Sequence, residues 1–285
     1  MVSYGMPFTT LISTAALAPH LDDPAWVIVD CRSKLDDETW GAREHKASHI
    51  PGAVYADLNA DLSGPKSGTN GRHPLPDAAA LARTFGRLGI ASGVQVVAYD
   101  QDNGMWASRL WWLLRWLGHE AAAVLDGGFA KWIAEGRPTD RGDARPEARE
   151  FVAAPRADMV ADVAAVAACV GSRDWRLVDA RAPERYRGEV EPIDRTPGHI
   201  PGAVNHFFQT NVENGVLKTP EQLRASFAQT IGSTRMDHVI CYCGSGVTAC
   251  QNLLALEHAG LRGAKLYAGS WSEWSSDLSR PVERG

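Results

Sequence analysis

Three of the chain's five cysteines lie within ten residues, in the stretch CYCGSGVTAC (Cys241–Cys250). A zinc site needs four ligands in paired spacing, and this stretch has three cysteines without that spacing and contains no histidine. A phosphatase loop of the type Cys-x5-Arg needs an arginine to grip phosphate, but Ala249 stands at that position. These residues therefore favour a single cysteine that carries a transferable group.

Cys243 is the best placed of the three for such chemistry. It follows the apolar, β-branched run VICY and precedes a helical pattern, and ligand sites of open α/β sheets lie at that point. Gly244 and Gly246 allow the backbone to curl. We therefore expect the amides through Val247 and Thr248 to form an anion-binding nest at a helix N-terminus, where they favour a thiolate and an anionic sulfur adduct.

The other cysteines have sequence surroundings typical of buried, inert thiols. Cys241 lies in the predicted strand, Cys250 in the predicted helix and Cys31 in another β-branched run. Cys241 is also a candidate resolving thiol for Cys243, although its place inside the strand argues against that function.

A tandem duplication organises the elements that must position Cys243. The motif HIPGAV occurs at His49 and again at His199, 150 residues later. VIVDCR matches RLVDAR, VVAYD matches VICYC, and DGGFAKW matches AGSWSEW, all in the same order. The repeated unit has about 110–140 residues, which is a normal domain size. In the first copy Asp100 stands where Cys243 stands in the second, so the first copy lacks a sulfur nucleophile.

Each copy alternates short β-branched runs with longer helical patterns, which predicts an α/β fold with a parallel sheet and helices on both faces. The tryptophans of SRLWWLLRWLG are expected to pack in the core. A stretch rich in Pro, Gly and Arg separates the copies. We predict an N-terminal domain at 1–142, a linker at 143–152 and a C-terminal catalytic domain at 153–285.

Composition excludes several functional classes. The formal net charge of −5 and the absence of Lys/Arg runs argue against nucleic acid as a partner. No apolar run approaches the ~20 residues that a membrane span needs. The apolar N-terminal segment lacks a basic region typical of signal peptides, so we expect a cytoplasmic protein. An odd number of cysteines agrees with that reducing compartment and disfavours a disulfide framework.

The loop CGSGVTA, the duplicated HIPGAV and the segment VDAR…RYRG together resemble the two-domain rhodanese-like sulfurtransferases. The resemblance covers nearly the whole chain. Thiosulfate enzymes of this family typically carry the basic loop C-R-K-G-V-T, whereas C-G-S-G-V-T is typical of the mercaptopyruvate branch. It implies sulfur transfer from 3-mercaptopyruvate to a thiol or cyanide through a persulfide on Cys243, without a cofactor or metal.

The resemblance also implies which residues bind the donor and move protons. Arg185 matches the family's substrate arginine, and Arg195 is the best candidate for the second one. Ser245 and His73 match two members of a proton relay whose acidic member falls on Asn59, between Asp57 and Asp61. The relay is therefore either incomplete or rebuilt from Asp61. Arg181 and its repeat partner Arg32 are expected to form structural salt bridges.

Two alternatives stay open at this point. One is a thiosulfate sulfurtransferase of the same fold, and the other is a non-catalytic rhodanese-like module that binds a partner or carries sulfur. The expected partners are a small sulfur donor and a thiol or cyanide acceptor, with a thioredoxin-like protein as one candidate acceptor. The resemblance favours a monomer. In this view the first domain, with Ser63–Pro76, covers the active-site loop of the second.

Overall fold

The structure is a computed structural model that describes residues 6–142 and 146–285. Residues 143–145 of the predicted linker lie outside the described residues, as do residues 1–5 of the predicted first domain. The chain divides into two compact units. The first contains the chain up to Leu62, Pro76–Pro155 and Asn214–Val216; the second contains Ser63–Leu75, Arg156–Glu213 and Leu217–Gly285. The domain boundaries at 142 and 153 stay a prediction, and the structure adds that a segment from the first half groups with the second unit.

The first unit is built on a five-stranded sheet in which every neighbouring pair is parallel, in the order β1-β5-β4-β2-β3. Its strands are β1 (Leu11–Ile12), β2 (Trp26–Asp30), β3 (Val54–Tyr55), β4 (Gln95–Tyr99) and β5 (Ala122–Leu125). Its helices are α1 (Thr14–Leu17), α2 (Trp40–Ala47), α3 (Ala78–Arg87), α4 (Ala107–Trp116) and α5 (Gly128–Ala134). Parallel strands need crossover connections, which these helices supply.

The second unit repeats this plan with a four-stranded parallel sheet in the order β11-β10-β6-β7. Its strands are β6 (Arg176–Asp179), β7 (Val204–Asn205), β10 (Val239–Tyr242) and β11 (Lys265–Leu266), and β8 (Val212–Glu213) and β9 (Val216–Leu217) form a separate two-stranded sheet. Its helices are α6 (Val163–Cys169), α7 (Pro183–Tyr186), α8 (Pro220–Ile231), α9 (Thr248–His258) and α10 (Ser270–Trp274).

Burial explains why these runs become strands and helices. The central strands β4 and β10 are buried along their whole length, as expected for sheets covered on both faces. In α4, Trp111 and Trp112 are 1% exposed, which confirms that these tryptophans pack in the core. The predicted architecture of two α/β repeats, each a parallel sheet flanked by helices, is confirmed.

The same buried salt bridge occurs at the same place in both units. Arg32 pairs with Asp30 at 2.7 Å, and Arg181 pairs with Asp179 at 2.6 Å, just after the strand in each case. Each guanidinium also donates to a loop carbonyl, that of Ser48 or Gly198. The predicted structural role of both arginines is confirmed, since each one ties its strand end to the loop that precedes the following strand.

A buried polar network holds α9, the helix that follows the Cys243 loop. Nδ2 of Asn211 donates to Oδ1 of Asn252 at 2.8 Å, and Nδ2 of Asn252 donates to the backbone oxygen of His206 at 2.9 Å. Nε2 of His206 lies 2.9 Å from Oδ1 of Asn211. Burial lowers the pKa of His206, which favours a neutral ring in this network.

Replacing Asn211 by Ala should destabilise the protein by about 2–3 kcal/mol, because the buried oxygen of Asn252 and the ring of His206 lose their partner. The midpoint of urea unfolding measures this loss. The exposed Gln209 lies in the same short 3-10 turn, so Gln209→Ala is a matched control expected to change stability by less than about 0.5 kcal/mol. Equal midpoints for the two variants would contradict the role of the network.

Among the described residues, no helix is long and apolar enough to cross a membrane.

Candidate active site

Cys243 lies directly after β10, and its thiol is enclosed by its own loop. The side chain is 2% exposed, and the backbone amide of Gly246 donates to its Sγ at 3.1 Å. An amide that points at sulfur stabilises the thiolate more than the neutral thiol, because the hydrogen bond strengthens when its acceptor is charged. The Gly246 amide is therefore directed at the atom on which negative charge would form if this sulfur acted as a nucleophile.

The segment after β11 fixes the backbone of this loop. The amide of Trp271 donates to the carbonyl of Cys243 at 2.9 Å, and the amide of Ser272 donates to that of Gly244 at 3.0 Å. The Cys243 amide in turn donates to Oγ of Ser270 at 3.1 Å. The carbonyls of Cys243 and Gly244 therefore point toward α10 and are hydrogen-bonded there.

Gly246 makes the loop geometry possible. Its φ is +77°, and a Cβ there would lie 2.3 Å from the carbonyl oxygen of Ala268. Any side chain at this position would therefore move the very amide that contacts Cys243.

The corresponding loop of the first unit surrounds a carboxylate with backbone amides. The carboxylate of Asp100 accepts hydrogen bonds from the amides of Gly104, Trp106 and Ala107 at 3.0, 2.7 and 3.1 Å. Burial raises the pKa of Asp100, and these amides oppose that rise. Since the strand–loop–helix plan is the same, the first unit shows that such a loop can enclose a negative charge.

The other cysteines of the stretch lie in the core. Cys241 and Cys250 are 0% exposed, and burial raises the pKa of the Cys241 thiol. The thiol of Cys250 donates to the carbonyl of Gly246 at 3.2 Å, which ties the start of α9 to the loop. Among residues 6–142 and 146–285, no group of three or more His, Cys, Asp or Glu is arranged to hold a metal ion.

Ser245 and His73 meet within the second unit. Nδ1 of His73 lies 2.8 Å from Oγ of Ser245, and both side chains are largely buried. His73 reaches the loop because Ser63–Leu75 belongs to this unit, where the Arg72 amide also donates to Oγ of Ser272 at 3.1 Å.

The acidic candidates near Asn59 lie in the first unit, where they make local bonds. Oδ1 of Asp57 accepts from the amides of Asn59 and Ala60, each at 2.8 Å. Asp61 pairs with Arg87 at 2.5 Å. Both carboxylates therefore stabilise the turn that contains Asn59.

Of the two predicted donor-binding arginines, Arg185 lies beside the loop. A Cβ at Gly244 would lie 3.6 Å from its Nη1. Arg195 is exposed, and its role in donor binding stays a prediction. Arg72 also lies beside the loop, with Nη2 only 2.7 Å from that same Cβ position. Arg72 is not predicted at this place from the sequence. The one sequence feature that could have indicated it is its position next to the predicted site residue His73.

An ion-pair chain connects these arginines to the sheet. Glu191 pairs with both Arg181 at 3.2 Å and Arg185 at 2.6 Å. Burial acts to raise the pKa of Glu191, but the hydrogen bond from Arg185 and those from the amides of Asp194 and Ile193 hold it below its usual value. Glu191 thus links Arg185 to the Arg181–Asp179 salt bridge at the end of β6.

Replacing Gly246 by Ala should lower the rate at which Cys243 reacts with iodoacetamide about tenfold or more, because a charged hydrogen bond of ~1.5–3 kcal/mol is lost. Peptide mapping of the alkylated protein assigns the rate to Cys243. Gly260→Ala is the matched control: its φ is +80° and no atom would contact its Cβ, so it introduces backbone strain alone. Equal alkylation rates in the two variants would show that the Gly246 amide does not activate the thiol.

Comparison with known proteins agrees with this geometry. The model of the rhodanese-like domain matches residues 13–135 and 162–277. A probable 3-mercaptopyruvate sulfurtransferase of Pseudomonas aeruginosa is 45% identical, over 98% of this chain and 100% of its own length. A putative thiosulfate sulfurtransferase of Mycobacterium tuberculosis is 38% identical, over 96% of this chain and 97% of its own. The structure of a 3-mercaptopyruvate sulfurtransferase from Leishmania major superposes with a TM-score of 0.83 at 31% identity, covering 96% of this chain and 75% of that one.

The two matched domains coincide with the two copies of the sequence repeat, and the matched relatives are sulfurtransferases over nearly the whole chain. The chain therefore belongs to the rhodanese-like sulfurtransferases, with two rhodanese-like domains in tandem.

Proposed function

We propose that this sulfurtransferase takes sulfur from 3-mercaptopyruvate and carries it as a persulfide on Cys243. The observation that carries the proposal is the Gly246 amide directed at Sγ of Cys243 within the neutral loop CGSGVT. The name of the Pseudomonas aeruginosa relative supports the same donor.

In the first half-reaction, the Cys243 thiolate attacks the donor sulfur. A sulfur–sulfur bond forms, the donor's carbon–sulfur bond breaks, and its electron pair leaves on carbon as the enolate of pyruvate. Protonation of that enolate releases pyruvate. The persulfide loses its proton and becomes an anion that the loop amides stabilise. Hydrogen-bond donors that are already fixed in place stabilise such an anion better than water does.

The neighbouring residues supply the other functions in this proposal. The guanidinium of Arg185 binds the carboxylate of the donor, for which planar paired donors are well suited. The Ser245–His73 pair delivers the proton to the enolate, since serine and histidine in hydrogen-bond contact can pass one.

In the second half-reaction an acceptor thiolate or cyanide attacks the outer sulfur. The sulfur–sulfur bond breaks and the Cys243 thiolate leaves, ready for the next cycle, as in other covalent mechanisms of this kind. A thioredoxin-like acceptor, a monomeric state and a cytoplasmic location stay predictions.

Intact-mass measurement after mixing with 3-mercaptopyruvate tests the persulfide. The wild type should gain the mass of one sulfur atom, and Cys243→Ser should gain none because it lacks the nucleophile. Cys169→Ala is the control, since Cys169 lies in α6 and is not part of the Cys243 loop, and it should gain one sulfur as the wild type does. A wild type that gains no sulfur from any donor would favour a non-catalytic binding module.

Thiosulfate is the second candidate donor, favoured by the presence of two guanidinium groups near Gly244 and by the name of the Mycobacterium tuberculosis relative. The ratio of kcat/KM for the two donors separates the candidates. A higher value for 3-mercaptopyruvate is expected, and a higher value for thiosulfate would replace it as the proposed donor.

A further inference from the structure

Asp194 occupies the place between the two arginines that border the Cys243 loop. Its Oδ1 forms an ion pair with Nη1 of Arg72, and its Oδ2 lies 3.4 Å from Nη2 of Arg185. The Asp194 side chain is 7% exposed, whereas that of Arg72 is 27% exposed. A carboxylate of the protein thus contacts both guanidinium groups before any donor arrives.

The segment that carries Asp194 is held in place from inside the unit. Oε1 of Glu191 accepts from the amides of Ile193 and Asp194, both at 3.1 Å, and it also binds Arg185. Asp194 is therefore a built component of the site, because the group that orients Arg185 also orients the backbone of Asp194.

The charges of this ion-pair chain balance. Three carboxylates alternate with three guanidinium groups along it, in the order Asp179, Arg181, Glu191, Arg185, Asp194 and Arg72. The chain has no excess positive charge to offer an incoming anion. Burial raises the pKa of Asp194 and the Arg72 charge opposes that rise, as expected for a carboxylate removed from water beside a cation.

Charge balance affects the two candidate donors differently. 3-Mercaptopyruvate has one fixed carboxylate, while thiosulfate is a compact dianion. Each negative charge that enters a largely buried, charge-balanced cluster gives up hydration without a net electrostatic gain, so the dianion is penalised more than the monoanion.

We propose that Asp194 is a specificity-determining residue, whose carboxylate neutralises the Arg72–Arg185 pair and so disfavours thiosulfate relative to a keto acid with one carboxylate. This inference rests on the proposed sulfur transfer at Cys243. It also explains why Gly244 lacks a side chain: a Cβ there would meet the tip of Arg72, the cation that Asp194 balances.

The test is the Asp194→Asn variant of the full chain, which keeps the side-chain shape and removes the charge. The ratio of kcat/KM for thiosulfate to kcat/KM for 3-mercaptopyruvate should rise about tenfold, because the freed guanidinium groups gain most from the donor with the larger charge. The rise should come mainly from a lower KM for thiosulfate and should shrink at high salt.

Two further variants make the result specific. Asp194→Glu keeps the charge and should keep the wild-type ratio. Glu189→Gln makes the same charge change at an exposed ion pair with Arg187 in the same unit and should also leave the ratio unchanged.

A ratio in Asp194→Asn within twofold of the wild-type value, with both efficiencies lowered in parallel, would overturn the proposal and reduce Asp194 to a support for the arginines. In that case sulfur loading of Cys243, followed by mass, would still support the proposed function. Absence of sulfur loading from both donors in the wild type would instead overturn the proposed function, and the specificity role with it.

Discussion

The hydrogen bond from the Gly246 amide to the sulfur of Cys243 is the interaction on which the rest of the site depends. It requires a left-handed glycine packed against the carbonyl of Ala268, and it requires α10 to bind the loop carbonyls. Together these contacts hold the loop in the conformation that directs the Gly246 amide at the sulfur. The packing of the second unit thus fixes the conformation of the loop that follows β10.

The two units share the same strand–loop–helix arrangement, although only the second has a cysteine in the loop. Both units close the end of a central strand with the same Asp–Arg pair. Both also place an acidic side chain in the loop that follows another strand, where backbone amides donate to it. In the first unit this side chain is the carboxylate of Asp100. In the second unit it is Cys243, whose sulfur accepts from the Gly246 amide. One residue type thus separates a loop without a sulfur nucleophile from a loop that holds the proposed one.

Periodicity, the internal repeat and the loop motif predict the two α/β domains and the family, and both predictions are confirmed, whereas Cys243 as the nucleophile stays a prediction. These features are local in the chain, so the sequence records them directly. The partnership of Arg72 with Asp194 joins residues 122 positions apart and leaves no local pattern. The loop before the second HIPGAV suggested Arg195 as the second arginine. The structure adds Arg72 near Arg185, because the segment Ser63–Leu75 groups with the second unit.

The central claim is that Cys243 alone takes sulfur from the donor. Rapid mixing with 3-mercaptopyruvate in the absence of any acceptor measures it most directly, through the pyruvate released in the first turnover. A burst of about one pyruvate per chain is expected, followed by much slower release, because a single covalent site fills and then waits for an acceptor. No burst in the wild type, or a burst of the same size in Cys243→Ser, would contradict it.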